Sequence, residues 1–409
     1  MRKEGVKMWV CPACSNEEIN EYGCTICGFD RTKDFLTFRT FVSVSQEDIE
    51  GLSRIFSNNH KETYSNGDWY EGEFKNGKRH GVGTFYFTNG GTFEGQWKDN
   101  QRTYGKERMV SGNSYEGEYL NDKFHGKGIY HYANGERYEG EFANGKRNGV
   151  GTYYYNNGCT YQGEYRDDIY HGYGKESYTN GGRYEGEFVN GKRHGQGVFY
   201  YANGGNFRGQ WENDQKVSGV EFYGTGDCYE GNYKNDTRHG AGKYFWKDGG
   251  SFDGQWVNGS RIYGVEKYAN GDIYEGNYKN EVRHGHGTFY HKEGEYYVGE
   301  YADDVRHGQG EFFYTNGCTC KGIWKKGYRV QCRETYPNGD VYDGEYFEGK
   351  HQGKGIFYYA NGNRYEGEFH DDKRHGYGVM YYTNGRKDEG EWKDDQFIKK
   401  AVFDKRFKK

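Results

Sequence analysis

The chain has 409 residues, of which 33% are hydrophobic and 19% are aromatic, with 68 glycines and 2 prolines. So many aromatic residues exclude a disordered chain, because disordered segments are poor in them. The formal net charge of −5 provides no overall attraction to nucleic acid or to an anionic membrane, and we therefore do not expect a nucleic-acid partner.

The amino-terminal segment predicts a metal site. Two Cys-x-x-Cys pairs, Cys11 with Cys14 and Cys24 with Cys27, are separated by nine residues. Two such turns can supply the four thiolates of a tetrahedral structural zinc site. A redox dithiol and an iron site are the alternatives, although nothing around the pairs resembles a thioredoxin unit. Residues 1–34 resemble the short zinc ribbons at the front of many multidomain proteins, and we predict one structural zinc ion here.

Residues 35–69 predict a linker and a cap. Residues 35–44 are rich in β-branched and aromatic types and should be extended. Ser45 precedes three polar residues and marks the start of a short helix that runs to about residue 56. Such a helix would cover the end of a repeat array, because terminal repeats need atypical caps. Residues 62–67 match the second half of the repeat that follows.

A repeat of 22 or 23 residues occupies residues 70–398 and gives fifteen units. The first residue of each unit is taken as position 0. These residues are Tyr70, Phe93, Tyr115, Tyr138, Tyr161, Tyr184, Phe207, Tyr229, Phe252, Tyr274, Tyr297, Cys320, Tyr342, Tyr365 and Asp388. Each unit has two aromatic-rich segments between glycine-rich turns, which predicts a β-hairpin. Aromatic residues at positions 0, 4, 15 and 17 should share one face, with the glycine at position 2 making room for a ring from the neighbouring strand.

The pattern Tyr-x-Gly-x-Phe/Tyr followed by His-Gly-x-Gly resembles the MORN repeat. The resemblance covers residues 70–398 and implies an all-β fold: an elongated, twisted, single-layer antiparallel sheet of hairpins with a grooved face. The other predicted segments are the ribbon (1–34), the linker with its capping helix and half repeat (35–69) and a basic tail (399–409).

The units form two classes. Ten have Phe or Tyr at position 4 and mostly His at position 10: His80, His125, His171, His194, His239, His284, His307 and His375, with Asn148 and Gln352 as substitutes. Five lack this His and have Trp at position 4: Trp97, Trp211, Trp256, Trp324 and Trp392. The four of these that precede another unit are one residue shorter. We expect the indole to fill space left by a shortened turn, and the histidines to hydrogen-bond neighbouring turns.

Two surfaces are candidates for binding. Basic residues recur in the hairpin turns and could line one edge as a site for anionic lipid: Lys78, Arg79, Lys146, Arg147, Lys192, Arg193, Arg238, Arg283, Arg306, Lys373 and Arg374. Acidic residues in the same turns would cancel much of this charge. Position 16 lies on the opposite face from positions 15 and 17 and is often aromatic, as at Tyr86, Tyr154, Tyr200, Phe245, Tyr290, Phe313, Tyr358 and Tyr381. Such a row either binds a protein partner or stacks across strands.

The sequence favours a non-enzymatic scaffold for protein–protein interaction, with a membrane-associated tether as the alternative. No nucleophile–base arrangement, phosphate loop or carboxylate pair stands out from the repeat, and we expect no catalysis. The five cysteines in the repeats show no metal-ligand pattern. With no signal peptide or transmembrane run, they favour a reducing compartment, and we predict a cytoplasmic protein that can lie at a membrane. Partner identity and self-association stay open.

Overall fold

The computed structural model describes residues 60–400 and, before them, the backbone of three two-residue strands. These are β1 (Ile19–Asn20), β2 (Gly23–Cys24) and β3 (Phe29–Asp30), which pair in that order as a small antiparallel sheet. The chain divides into two compact units, residues 1–61 and 62–409. The thiols of Cys11, Cys14, Cys24 and Cys27, the predicted helix at 45–56 and the tail beyond residue 400 lie outside the described part.

The second unit contains the repeats. After β4 (His60–Thr63), each repeat supplies two strands. The first strands are β5 (Trp69–Lys75), β7 (Thr92–Lys98), β9 (Ser114–Leu120), β11 (Arg137–Ala143), β13 (Thr160–Arg166), β15 (Arg183–Val189), β17 (Asn206–Glu212), β19 (Cys228–Lys234), β21 (Ser251–Val257), β23 (Ile273–Lys279), β25 (Tyr296–Ala302), β27 (Thr319–Lys325), β29 (Val341–Phe347), β31 (Arg364–His370) and β33 (Lys387–Lys393). The second strands are β6 (Lys78–Tyr86), β8 (Gln101–Arg108), β10 (Lys123–His131), β12 (Lys146–Tyr154), β14 (Ile169–Ser177), β16 (Lys192–Tyr200), β18 (Gln215–Phe222), β20 (Thr237–Phe245), β22 (Ser260–Lys267), β24 (Val282–Tyr290), β26 (Val305–Phe313), β28 (Tyr328–Thr335), β30 (Lys350–Tyr358), β32 (Lys373–Tyr381) and β34 (Gln396–Lys400).

Strands β4 to β34 belong to one antiparallel sheet, and from β5 onward consecutive strands of the chain are neighbours in it. The predicted all-β fold of antiparallel hairpins is therefore confirmed. Residues 60–400 contain no helix, so none of the described segments could cross a membrane in helical form.

The hairpin turns explain why each unit folds back on itself. In the first unit, Asn76 and Gly77 both have positive φ, 54° and 72°, between Lys75 and Lys78, which face each other. Two central residues of this kind give the turn whose twist matches that of the flanking strands. Asp99 and Asn100 repeat this conformation in the second unit. The turn is therefore equally long in the two classes.

A row of glycines crosses the sheet. Gly72 pairs with Gly83, which pairs with Gly95, and the pattern continues to Gly390 with Cys332 as its one exception. The ring that covers such a pair belongs to position 0 of the same unit: a Cβ on Gly83 would lie 2.2 Å from the Tyr70 hydroxyl, and one on Gly72 would lie 2.6 Å from it. The predicted covering of position 2 by a ring from the neighbouring strand is therefore wrong, because the covering ring comes from the same strand.

We call the face with positions 0, 2 and 4 the ring face, and the face with positions −1, 1 and 3 the open face. On the ring face, Tyr138 meets Phe142 of its own unit and Tyr165 of the next unit edge-on, with centroids 5.1 and 5.0 Å apart. Equivalent contacts recur along the array, and the position-0 residues from Tyr70 to Tyr365 are almost fully buried. Edge-to-face packing of this kind holds neighbouring units together.

The two classes of unit, which we call long and short, differ in the second strand. In the long unit at Tyr184, Phe188 pairs with Arg193 and Gly186 with Gly197, which leaves two extra residues on the second strand. In the short unit that follows, Trp211 pairs with Lys216 and Gly209 with Gly219, which leaves one. The missing residue is thus lost from this bulge and not from the turn. The expectation of a shortened turn was wrong.

Candidate interaction surface

The turn arginines point inward and do not form a basic edge. The side chain of Arg147 lies over the ring face, with its guanidinium carbon 5.2 to 5.7 Å from the centres of Tyr138, Tyr153 and Tyr165. Its Nη2 donates to the carbonyl oxygen of Asp168 at 2.8 Å, and its Nε donates to the Asp168 carboxylate at 3.1 Å. This geometry binds one unit to the next through a charge-assisted contact.

The same inward placement recurs at position 9 in most units: Arg79, Arg102, Arg193, Arg238, Arg261, Arg283, Arg306, Arg329 and Arg374. The predicted ladder of free arginines is therefore wrong. Among the basic residues of the described turns, the lysines are the more exposed, and one of them, Lys146, pairs with Asp167 at 3.4 Å.

Short units carry a buried carboxylate that the sequence analysis did not identify. Glu221 pairs across the hairpin with Phe207, at the place where eight of the ten long units have an aromatic residue, and it is 7% exposed. It accepts hydrogen bonds from Lys216 at 2.6 Å and from Tyr233 at 2.8 Å. Burial raises the pKa of Glu221, but these bonds and the charge of Lys216 outweigh burial and lower it overall. Glu334 is equally buried in its unit, and Glu107 and Glu266 occupy the same place with side chains that are 18% and 12% exposed. The sequence pattern could have revealed these carboxylates, since every complete short unit has Glu at position 14.

Glu334 has the most elaborate surroundings of these carboxylates. Arg329 lies 3.1 Å from it, Tyr346 donates to it at 2.6 Å, and the buried His351 lies 3.4 Å from it. Burial opposes ionisation, but the hydrogen bonds from His351 and Tyr346 and the charge of Arg329 lower the pKa of Glu334 to about 2. The cluster links adjacent units, because Arg329 and His351 come from two of them.

The cysteines of the repeats are not all scattered. Cys320 and Cys332 form a disulfide, with their Cα atoms 5.9 Å apart. Cys320 occupies position 0, where other units have a ring, and Cys332 occupies the one gap in the glycine row. The bond thus replaces the usual packing of a ring on glycine. It also removes the support that cysteine usage gave to a reducing compartment. Cys159, Cys228 and Cys318 are free thiols.

In four of the histidines at position 10, the buried Nδ1 does not make the predicted hydrogen bond to a neighbouring turn. His80 Nδ1 lies 3.9 Å from the Asp99 carboxylate, and His284 Nδ1 lies 3.9 Å from Asp303, beyond hydrogen-bonding distance. The same buried nitrogen lacks a partner in His239 and His375. Residues 60–399 contain no group of three or more His, Cys, Asp or Glu side chains that could hold a metal ion.

The predicted partner-binding rings lie on the open face in one row, each paired with position −1 of its own unit. Tyr86 stacks on Trp69 at 3.7 Å, and Phe313 stacks on Tyr296 at 4.4 Å. Tyr154, Tyr200 and Tyr381 are each covered by an arginine at position −1, and Arg333 lies 5.7 Å from Tyr358. Stacking of rings on one another across strands, the alternative interpretation of the row, thus accounts for Tyr86 and Phe313, whereas arginines contact the other four rings.

Two of the eight predicted rings are exposed. Phe245 is 42% exposed opposite Cys228, and Tyr290 is 41% exposed opposite Ile273. Phe222, one unit before Phe245 in the same row, is 44% exposed. An apolar stretch of the open face thus extends from Phe222 to Phe313, with Lys267 as the one charged residue of the row within it. A patch of exposed rings on an otherwise polar face is typical of a protein-binding surface.

Known proteins resemble this chain in their repeats. A family model described as the MORN repeat matches residues 70–92, 93–103, 115–137, 138–160, 161–183, 184–206, 207–228, 229–251, 274–296, 297–319, 320–341, 342–364 and 365–385. The units that begin at Phe252 and Asp388 are outside these matches but form the same hairpins. No curated protein matched the chain.

Solved structures match weakly. The TCP domain of Drosophila melanogaster SAS-4, in complex with a proline-rich motif of Ana2, is 18% identical and covers 37% of this chain and 84% of its own, with a TM-score of 0.27. The TCP10 domain of Danio rerio CPAP, in complex with a STIL peptide, is 8% identical and covers 66% and 98%, with a TM-score of 0.25. Virginiamycin B lyase from Staphylococcus aureus is 10% identical and covers 81% and 83%, with a TM-score of 0.12. Such low similarity supports no statement about function.

The matches to the MORN repeat cover well over half of the chain, and the hairpins, the glycine row and the buried rings at position 0 account for the residues that define the motif. The chain belongs to the MORN-repeat family.

Proposed function

We propose that the chain is a non-enzymatic scaffold that binds protein partners on the open face of its sheet. The observation that supports this best is the exposed apolar stretch from Phe222 to Phe313, in a row whose other rings are covered by the chain's own side chains. The MORN repeat is a non-catalytic repeat that commonly serves protein or membrane interaction. In residues 60–399 the ring face is filled by its own buried rings.

The alternative of a membrane tether has less support. It relied on a basic edge, but the arginines of that edge lie over aromatic rings and donate to the next turn. The turn lysines alone would have to attract the lipid, with acidic residues of the same turns beside them, as in the pair of Lys350 and Asp371 at 3.1 Å. Anionic lipid therefore stays a second, weaker proposal, as does a cytoplasmic location at a membrane.

Affinity capture from native cell extract, with identification of the retained molecules by mass spectrometry, tests the scaffold. We expect a protein that is retained at high salt and lost in a variant with Phe245→Ala and Tyr290→Ala. The matched control is Tyr154→Ala with Tyr200→Ala, which removes rings that the chain itself covers. Retention of lipids alone, with release by salt, would contradict the scaffold and favour the tether.

The zinc ribbon stays a separate proposal. Cys11, Cys14, Cys24 and Cys27 would hold one structural zinc ion, which would stabilise the fold of residues 1–34. Metal analysis of the purified chain should find one zinc per chain, and Cys24→Ser with Cys27→Ser should abolish it. The melting of the repeats should not change in this variant. Loss of the repeats together with the zinc would contradict the division into separate segments.

A further inference from the structure

Three units show how a ring at position 16 is covered on the open face. In each of them an arginine at position −1 stacks on the ring and also pairs with the glutamate at position 1. The guanidinium carbon of Arg183 lies 3.7 Å from the centre of the Tyr200 ring, and its Nε lies 3.1 Å from Glu185. The corresponding sets are Arg137, Tyr154 and Glu139, and Arg364, Tyr381 and Glu366. Each set combines a π surface with a carboxylate, and the planar guanidinium fits both.

Among the units that have the ring and the carboxylate but no arginine at position −1, two leave the ring exposed. In the unit that begins at Tyr229, Phe245 lies opposite Cys228, and Glu230 occupies position 1. No described basic side chain lies within ion-pair distance of Glu230, since its cross-strand neighbour Lys243 pairs with Asp253 at 3.1 Å.

The second such unit begins at Tyr274. Tyr290 lies opposite Ile273, and Glu275 at position 1 accepts only a hydrogen bond from the hydroxyl of Tyr263, at 3.3 Å, among the described side chains. Both rings are exposed, although the Tyr290 ring also packs against Tyr296 of the next unit, with the ring centres 5.6 Å apart. The register of the strands is the same as in the arginine-containing units, so ring and carboxylate have the same relative placement.

We propose that these two ring–carboxylate pairs, Phe245 with Glu230 and Tyr290 with Glu275, bind arginine side chains of an extended segment of a partner protein. The partner's guanidinium would take the place that Arg137, Arg183 and Arg364 take within the chain. The proposal depends on the scaffold function and specifies its partner chemistry. Lysine is expected to bind less well, because its ammonium cannot stack on the ring while pairing with the carboxylate in two directions.

The spacing of the sites sets the spacing of the arginines. Phe245 ends β20 and Tyr290 ends β24, four strands further along the sheet. At about 4.8 Å per strand the sites are about 19 Å apart, which an extended chain at about 3.3 Å per residue spans in about six residues. Lys267 lies in the row between them and is exposed, so the middle of the segment should carry a neutral or acidic residue.

The test uses the full-length chain and a fluorescein-labelled peptide of twelve serine and threonine residues, in which two positions six apart are arginine and one central position is aspartate. Fluorescence anisotropy measures its affinity. Cys228→Arg with Ile273→Arg places the chain's own arginines on the two rings and should weaken binding at least about tenfold. The same loss is expected for Phe245→Ala with Tyr290→Ala, whereas Tyr154→Ala with Tyr200→Ala should leave the affinity within about twofold.

A variant that gains binding sites distinguishes the proposal from a loss of binding caused by misfolding. Arg137→Ser with Arg183→Ser uncovers two further ring–carboxylate pairs at the same two-unit separation. This variant should bind a second peptide per chain, which misfolding could not produce. Replacing the arginines of the peptide with lysine should weaken binding, and replacing them with citrulline should abolish it.

Three results would overturn the proposal: no binding of the arginine peptide at about 1 mM, binding unchanged by Cys228→Arg with Ile273→Arg, or equal binding of the citrulline peptide. Capture of native partners then shows whether the scaffold function is refuted together with the arginine chemistry. A partner that is lost in Phe245→Ala with Tyr290→Ala but retained in Cys228→Arg with Ile273→Arg would leave the scaffold in place and refute its arginine chemistry. A chain that retains no protein through this surface would refute the scaffold as well.

Discussion

The long and short units of the array fill the same place on the ring face with different chemistry. In the long unit at Tyr184, Phe199 pairs with Tyr184 across the hairpin, and in the short unit that follows, Glu221 pairs with Phe207. One residue fewer in the bulge therefore coincides with a buried ion pair where the neighbouring unit has a ring. The short units thus have a carboxylate on the ring face at the place where most long units have a ring.

The largest effect should come from leaving that buried charge unpaired. Lys216→Met removes the partner of Glu221, and we expect a loss of about 3–5 kcal/mol in the stability of the units around β17 and β18. The control in the preceding long unit is Arg193→Met, which should cost about 1 kcal/mol because the carboxylate of Asp214 is half exposed. Denaturant unfolding together with hydrogen exchange of the two strands gives the difference. Equal losses in the two variants would contradict the comparison.

The double variant sharpens the same prediction. Lys216→Met with Glu221→Leu replaces both charges with apolar groups and should recover most of the lost stability, since removing a whole buried pair is often nearly neutral. If the double variant is as unstable as Lys216→Met, the cost lies in packing and not in the unpaired carboxylate.

Reduction should weaken one short unit selectively. The bond between Cys320 and Cys332 closes a loop with a sequence separation of 12, which is worth about 3 kcal/mol in the chain-entropy account. Dithiothreitol should lower protection from exchange in β27 and β28. Cys320→Phe with Cys332→Gly restores the ring on glycine of the other short units and should remove this sensitivity. Cys159→Ser with Cys228→Ser should retain it, and an identical response of all three proteins to dithiothreitol would contradict the prediction.

Acid should weaken the short unit that contains Glu334. The folded-state pKa of Glu334 is about 2, below its ordinary value of 4.5, so its stabilising contribution is present above about pH 5 and is lost as the pH falls toward 2. The loss amounts to about 3 kcal/mol at most. Circular dichroism melts between pH 5 and 2 should show a steeper decline for the wild type than for Glu334→Gln. Parallel declines would mean that other groups control the acid response.

The smallest effect concerns the indole. The Nε1 of Trp256 donates to the carbonyl oxygen of Gly242 in the preceding unit at 3.0 Å, so Trp256→Phe should cost about 1–2 kcal/mol in stability, from the lost bond and the smaller ring. Tyr165→Phe is a matched change at position 4 of a long unit. It should be neutral or stabilising, because the buried Tyr165 hydroxyl has no hydrogen-bond partner. Thermal melts compare the stabilities of the two variants. A larger loss of stability in Tyr165→Phe than in Trp256→Phe would contradict the prediction.

The open face shows how far sequence reasoning could go in locating a binding site. The alternation of the strands placed the eight aromatic residues of position 16 in one row, and the structure places them there. The pattern could not show which rings were available, because that depends on the residue opposite each ring across the hairpin. Tyr200 is covered because its cross-strand partner is Arg183, and Phe245 is exposed because its partner is Cys228.

The period, the hairpins and the face of the buried rings were determined by the sequence alone, because turn chemistry and strand alternation are local properties that recur every 22 or 23 residues. The inward arginines, the buried glutamates and the disulfide were decided by tertiary structure. Arg147 contacts Asp168 of the next unit. Glu334 pairs with Arg329 of its own unit and with His351 of the next. Cys320 bonds to Cys332 across the folded hairpin. These contacts join residues on different strands, and the bulge of each hairpin decides which side chains meet.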